Sequence, residues 1–258
     1  MINMIRRAGL AVALPIALFA GWYVLSAGSE NFYAPPLSKI LTAFGDTWTA
    51  DRLRADVAPS LLRLVAGYLL AALIGVGAGV AIGLSRRLRA TTEPVLEFFR
   101  AIPPPVLVPV IMLFAGIGNG MKVTVIVFGC VWPILLNTVE GVRAVDGVVL
   151  DTARSYGVNG TARITHVVLP AAGPQIAAGL RQALSIAIIL MVISEMFAAS
   201  NGLGFTIVQF QRSFAIPEMW SGIILLGLLG FLLSLLFRLA ERRVLRWYEG
   251  LRAAQRAG

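Results

Sequence analysis

The sequence has one cysteine, one histidine and little charge, and each scarcity removes a class of function. Cys130 alone closes no intramolecular disulfide, and neither it nor His166 has the paired spacing of a metal site. No G-x-x-x-x-G-K-[ST] run is present, so the chain brings no phosphate-cradling loop of its own. No nucleophile, base and acid fall into a catalytic pattern either. The expected site therefore holds no catalytic residue, no metal and no cofactor. Charged residues make up 14% against 58% hydrophobic ones, which lies outside the range of soluble domains. The apolar runs are continuous rather than alternating, which argues against a β-barrel.

Several runs reach or approach the roughly 20 helical residues that cross a hydrocarbon core of about 30 Å. They predict an all-α membrane protein of six transmembrane helices in one membrane domain, 1–258, with spans at 8–25, 61–84, 103–116, 121–138, 179–198 and 220–239. Arg6 and Arg7 precede the first run. A cleaved signal peptide is the other reading of it, but Trp22 and Tyr23 resemble an interfacial anchor more than a cleavage site. Ile40, Leu41, Phe44 and Trp48 share one side of a helix over 38–50, as expected of an amphipathic helix on the outer membrane surface. In the second span Gly67, Ala71, Gly75, Gly79 and Gly83 recur every four residues, a stripe that lets another helix come close. Pro103, Pro104 and Pro105 force a helix start or a kink before the third span. There they open either a plain helix or an irregular pathway wall.

The net charge of +9 reads as membrane topology rather than nucleic-acid binding. With the N-terminus inside, sixteen of the 22 Lys and Arg face the cytoplasm. The other six, Lys39, Arg52, Arg54, Arg63, Lys122 and Arg212, face outward. Both termini are then cytoplasmic, and so is the segment 147–170, which holds DTARSYGVNGTARITHVVLP.

That segment is the most informative stretch in the chain. Asp146 or Asp151 favours a helix start through capping and the helix dipole. Gly157 suits the left-handed residue that closes one short helix before another begins, and Pro170 is expected to stop the second. Tyr156, Val158 and Ile164 are available as anchors for a groove on a partner; an ordinary surface helix is the plainer reading. Glu195 lies in a span, where an ionisable group is by default a functional candidate. Its position near the outer end also suits capping of a loop. Asn137, Thr138 and Ser194 join it as uncharged pathway or gating candidates.

The pattern D-T-A-R-S-Y-G, nine residues, V-V-L-P from Asp151 resembles the EAA loop of permease subunits of bacterial ABC importers, E-A-A-x-x-x-G, nine residues, I-x-L-P. Gly157, Leu169 and Pro170 match in place and Ala153 is kept. Asp151 stands for the glutamate, Thr152 for the first alanine and Val167 for the isoleucine. S-L-L-R-x-x-x-G-Y from Ser60, R-A-I-P from Arg100, P-I-L-L-N-T from Pro133, G-V-R-A-V-D from Gly141 and S-E-M-F-A-A-S-N-G-L-G from Ser194 extend the likeness. It is closest to the nitrate, sulfonate and taurine branch.

The resemblance implies a type I importer permease fold in the bacterial inner membrane. Its partners would be two ATP-binding cassette subunits, a second permease copy and an extracytoplasmic substrate-binding protein, with no nucleic acid. Carried over by position, Asp151, Ala153 and Gly157 would enter the ATPase cleft, while Leu169 and Pro170 would fix the loop to the membrane domain. The solute would be a small anion such as a sulfonate, taurine or nitrate. The alternative is a self-sufficient carrier or channel driven by an ion gradient. Such a carrier should show paired buried charges or matching broken helices in two halves, whereas the sequence shows one intramembrane acid and no convincing repeat.

Overall fold

A computed structural model describes residues 2–248 and residue 250. Among the described residues the secondary structure is helical, without strands. Ten helices follow one another. They are α1 (Ile2–Ser26), α2 (Leu37–Thr47), α3 (Ala50–Leu84), α4 (Arg86–Ala101), α5 (Leu107–Ala115), α6 (Asn119–Arg143), α7 (Gly147–Ser155), α8 (Gly160–Phe197), α9 (Leu203–Arg212) and α10 (Ile216–Val244). By length and hydropathy α3, α6, α8 and α10 each suffice to cross a membrane. Helices α4 and α5 form a pair bent by 77° that qualifies as a fifth, and Ala13–Ser26 is a shorter apolar helix. Six spans are consistent with this count.

Helix α6 is the axis of the bundle, lying between α3 and α8. The small-residue stripe explains how closely α3 approaches it. A Cβ added at Gly67 would lie 2.7 Å from the side chain of Ile126; at Gly75, 2.9 Å from Ile134; at Gly79, 2.6 Å from Thr138; at Gly83, 2.8 Å from Val142. Both partners step by four residues, so two straight i±4 ridges interlock over four turns. Gly141 and Gly179 do the same between α6 and α8, against Gln175 and Asn137. Leu64, Ala71, Ile126, Cys130, Ile134, Ala183 and Leu190 fill the space between the three helices.

Two long helices absorb a proline through a wider turn. A π-turn over Leu53–Val57 precedes Pro59 in α3, and another over Ile164–Val168 precedes Pro170 in α8. Proline lacks an N–H and its ring clashes with the carbonyl four residues back; one wider turn relieves both. Pro170, expected to end a short helix, is therefore inside a continuous helix of 38 residues, about 57 Å at 1.5 Å per residue. The prolines at 103–105 do break the chain: α4 ends at Ala101, Ile102 and Pro103 are extended, and a 3-10 turn at Pro104–Val106 starts α5. Leu107–Ala115 is thus a short helix that follows a sharp bend.

Helix α2 is as amphipathic as expected, but its apolar side meets α10. Ile40 and the following Trp48 are buried, and the Trp48 indole N–H donates to Ser221 Oγ at 3.0 Å. The basic residues after Ser85 are helical. Ser85 alone is extended, its Oγ accepting the Leu88 N–H at 3.2 Å, and α4 begins at the next residue.

Candidate functional site

The two ends of α8 carry the two sets of candidate residues. At its start, α7 opens on Asp146, whose carboxylate accepts the Val148 N–H at 2.8 Å. The helix closes through two bonds: Val158 N–H to the Ala153 carbonyl at 2.9 Å and Gly157 N–H to that of Arg154 at 3.0 Å. This is a Schellman motif, and Gly157 holds the left-handed conformation it needs, at φ +73°. Nothing lies within 4 Å of where its Cβ would be. The glycine is required for the turn, and the space beside it is open.

Around that turn the side chains point away from the protein. Tyr156 is 83% exposed and Val148 71%. Asp151 is exposed too, 3.3 Å from the exposed Arg154. Ala153 is the buried point of contact beneath them. Leu169 is half-buried and Pro170 exposed, next to Val168 and Ala172, which with Val142 tie the start of α8 to α6. The segment is a short helix held rigidly at its base, with apolar and charged groups on offer at its tip.

The other end is built in the opposite way. Glu195 has no exposed surface, and every donor around it is accounted for. Arg63 Nη1 lies 2.6 Å from Oε1, Ser60 Oγ donates at 2.8 Å, and the Gly204 N–H reaches Oε2 at 3.0 Å. Arg63 spends its remaining donors on Asn119 Oδ1 at 2.8 Å and Asn201 Oδ1 at 2.6 Å. The start of α9 is capped throughout: Gly202 N–H by Asp56, Leu203 N–H by Ser60 Oγ, Gly204 N–H by Glu195. A carboxylate suits that position, where the helix dipole is positive. Gly202, at φ +122°, would place a Cβ 2.5 Å from the Glu195 carboxyl carbon. Gly204 would meet the Val192 carbonyl at the same distance.

Two of the sequence motifs are therefore halves of one cluster. Ser60 and Arg63 come from S-L-L-R on α3; Glu195, Asn201, Gly202 and Gly204 come from S-E-M-F-A-A-S-N-G-L-G on α8 and α9. Sequence reasoning found Glu195 but counted Arg63 among the loop charges. The available signal was the spacing of Ser60 and Arg63, three apart and so on one helix face. Glu195 is thus not an unpaired intramembrane acid, and the missing pair is no longer an argument against a carrier.

The remaining candidates are engaged locally. The Asn137 amide donates to the Pro133 carbonyl at 2.8 Å and its oxygen accepts from Gln175 at 2.9 Å, joining α6 to α8. Thr138 is buried, its hydroxyl donating to the Ile134 carbonyl at 2.7 Å. Ser194 is buried with its hydroxyl on Met191. None of the three meets Glu195 in these contacts. Among the described residues no group of three His, Cys, Asp or Glu is placed to hold a metal ion.

The described residues thus form a tightly packed helical core with one exposed helix held at its base. Residues 71–246 match the family described as binding-protein-dependent transport system inner membrane component. The chain belongs to that family. It is 31% identical to the taurine transport system permease protein TauC of Escherichia coli, over 94% of this chain and 91% of that one. It is 30% identical to the bicarbonate transport system permease protein CmpB of Synechococcus elongatus, over 91% and 90%. The fold is also that of a chain in inward-facing structures of the MetNI methionine ABC transporter, with a TM-score of 0.65 at 19% identity over 74% of this chain and 95% of that one. As a permease of this family the chain is a membrane transport subunit, and the family match, not charge pairing, disfavours the self-sufficient carrier.

Proposed function

We propose that the chain forms the translocation pathway of an ATP-driven importer for a small organic or inorganic oxyanion, of the sulfonate, taurine, bicarbonate or nitrate kind. The relatives' names support the solute class, and the three cations facing a cavity at the Glu195 end agree with it. Helix α7 is the part that two ATPase subunits grip, one on each of two permease copies. The Gly157 turn carries this reading: a fixed helix presents Val148, Asp151 and Tyr156 to solvent, uncovered by the described residues.

In this reading the Asp151 end is cytoplasmic, along with both termini, and the Glu195 end faces the binding protein. Ala153 and Gly157 set the height and direction of α7, and Leu169 and Pro170 anchor its base. Because α8 runs unbroken from that base to Glu195, a push on α7 is delivered along one rod to the far end, where α3, α8 and α9 are locked together. ATP-driven closure of the ATPase pair then becomes a rigid-body rearrangement of the pathway. Asn137, Thr138 and Ser194 belong to the packed helices that would move past one another.

The test is uptake in vesicles holding this chain with its ATPase and binding protein, using taurine as solute. Accumulation only with ATP and all components supports the importer. Flux through the chain alone, without ATP, would return the gradient-driven carrier.

A further inference from the structure

Beside the saturated Glu195 cluster lies a cavity of about 800 Å³ whose walls come from α3, α6, the end of α8, α9 and the loops before α6 and α9. Its charged lining residues are Arg63, Lys122 and Arg212, and no carboxylate faces it. Arg63 is committed to Glu195, Asn119 and Asn201, so its charge is already balanced. Lys122 is different. It is 4% exposed, yet its side chain makes no hydrogen bond and no ion pair, and the Glu195 carboxylate has its places filled by Arg63, Ser60 and Gly204. Its ammonium opens onto the cavity with its donors unused by the described residues, ready to take acceptors from a bound molecule.

The cavity's other features suit an anion. Asn119 and Asn201 give their oxygens to Arg63, which leaves their amide nitrogens as donors. Gly118 offers no side-chain cap to α6, and Gly118 and Asn119 at the start of that 25-residue helix line the cavity with Lys122. The contrast with α9 is direct: there Asp56, Ser60 and Glu195 supply side-chain acceptors, whereas at α6 the N-cap supplies none. An oxyanion would complete both the helix terminus and the lysine through charge-assisted hydrogen bonds.

We propose that Lys122 is the anion-binding residue of this cavity, holding the sulfonate or carboxylate group of a small solute, with Asn119 and Asn201 as neutral donors. The inference rests on the importer reading for its biological meaning, since the cavity then faces the side from which the binding protein releases solute. The exposed Gln209 on the cavity wall provides a reporter, because the one native thiol, Cys130, is buried with its Sγ on the Ala183 carbonyl.

The experiment follows thiol labelling of Gln209→Cys in the assembled permease–ATPase complex, with methanesulfonate as probe and the neutral methanesulfonamide as its control. Methanesulfonate is expected to slow labelling and methanesulfonamide is not. Lys122→Gln should weaken the apparent methanesulfonate affinity by about tenfold, the order of one charge-assisted contact, while Lys122→Arg retains it. Equal slowing by both probes, no slowing by either, or full protection in Lys122→Gln overturns the assignment. Taurine uptake measured on the same complex with the binding protein separates the two levels. Uptake without protection removes the anion site and leaves the importer; protection without uptake keeps the site and removes the proposed solute.

Discussion

The two ends of α8 carry motifs of equal weight in the sequence and opposite construction in space. At Glu195 every polar group turns inward: carboxylate, guanidinium, hydroxyl and backbone N–H groups satisfy one another across α3, α8 and α9. At Asp151 the backbone is satisfied through the Asp146 cap and the Gly157 turn, and the polar side chains bond only within their own helix, Asp151 to Arg154 and Thr152 and Ser155 to backbone carbonyls. The first arrangement fixes helices within the chain. The second leaves apolar and charged groups exposed, the surface that the proposed ATPase docking would use. A motif residue can thus serve the fold or the assembly, and the destination of its hydrogen bonds tells which.

The difference predicts a ranking of mutational effects. Arg63→Ala should cost the most, about 3–5 kcal/mol, because it leaves a buried carboxylate without its counter-charge. Melting in detergent should fall steeply, and Arg63→Met combined with Glu195→Met should recover much of the loss. Recovery stays incomplete, since Glu195 also caps α9. Gly202→Ala comes next, at about 1–3 kcal/mol, from a left-handed backbone and a Cβ driven into the Glu195 carboxyl. Gly157→Ala should cost about 1 kcal/mol, the left-handed penalty alone, because the surrounding space is open; its larger effect should be on ATP hydrolysis coupled to uptake. Asp151→Asn is the smallest, at roughly 0.5 kcal/mol or less for an exposed i,i+3 pair. It should leave melting unchanged while uptake per ATP drops. A melting loss for Asp151→Asn as large as that for Arg63→Ala would erase the contrast.

Much of the fold could be read from residue order. The stripe from Gly67 to Gly83 identified a packing face because small residues at every fourth position have few other uses in a membrane helix. The Gly157 turn was legible for a similar reason: a helix that must reverse needs a left-handed residue. The prolines were harder. Pro59 and Pro170 look like helix stops, yet a single π-turn absorbs each, while Pro103–Pro105 bend the chain by removing several donors in succession. Pro94, Pro133 and Pro174 lie inside helices with no wide turn at all, so a lone proline does not by itself break a helix, whereas the run at 103–105 does.

The charged cluster was the least legible part. Arg63 and Glu195 are 132 residues apart in sequence, and nothing local links an arginine near one span's start to an acid near another's end. Lys122 carries the same ambiguity, reading as one more loop cation until α3 and α9 close over it. Local patterns report the neighbours within a turn or two; a buried ion pair is a property of tertiary contact.

The central claim is that α7 is a surface built for another protein. Its most direct test is co-purification of the ATPase with the wild-type chain, with Gly157→Asp and with Val148→Asp, alongside melting of each permease. Val148→Asp alters an exposed side chain and spares the turn, so it guards against a folding defect in the glycine variant. Loss of the ATPase from both variants, with melting close to that of the wild type, is the predicted result. Retention of the ATPase by both would contradict it and place the docking surface elsewhere on the chain.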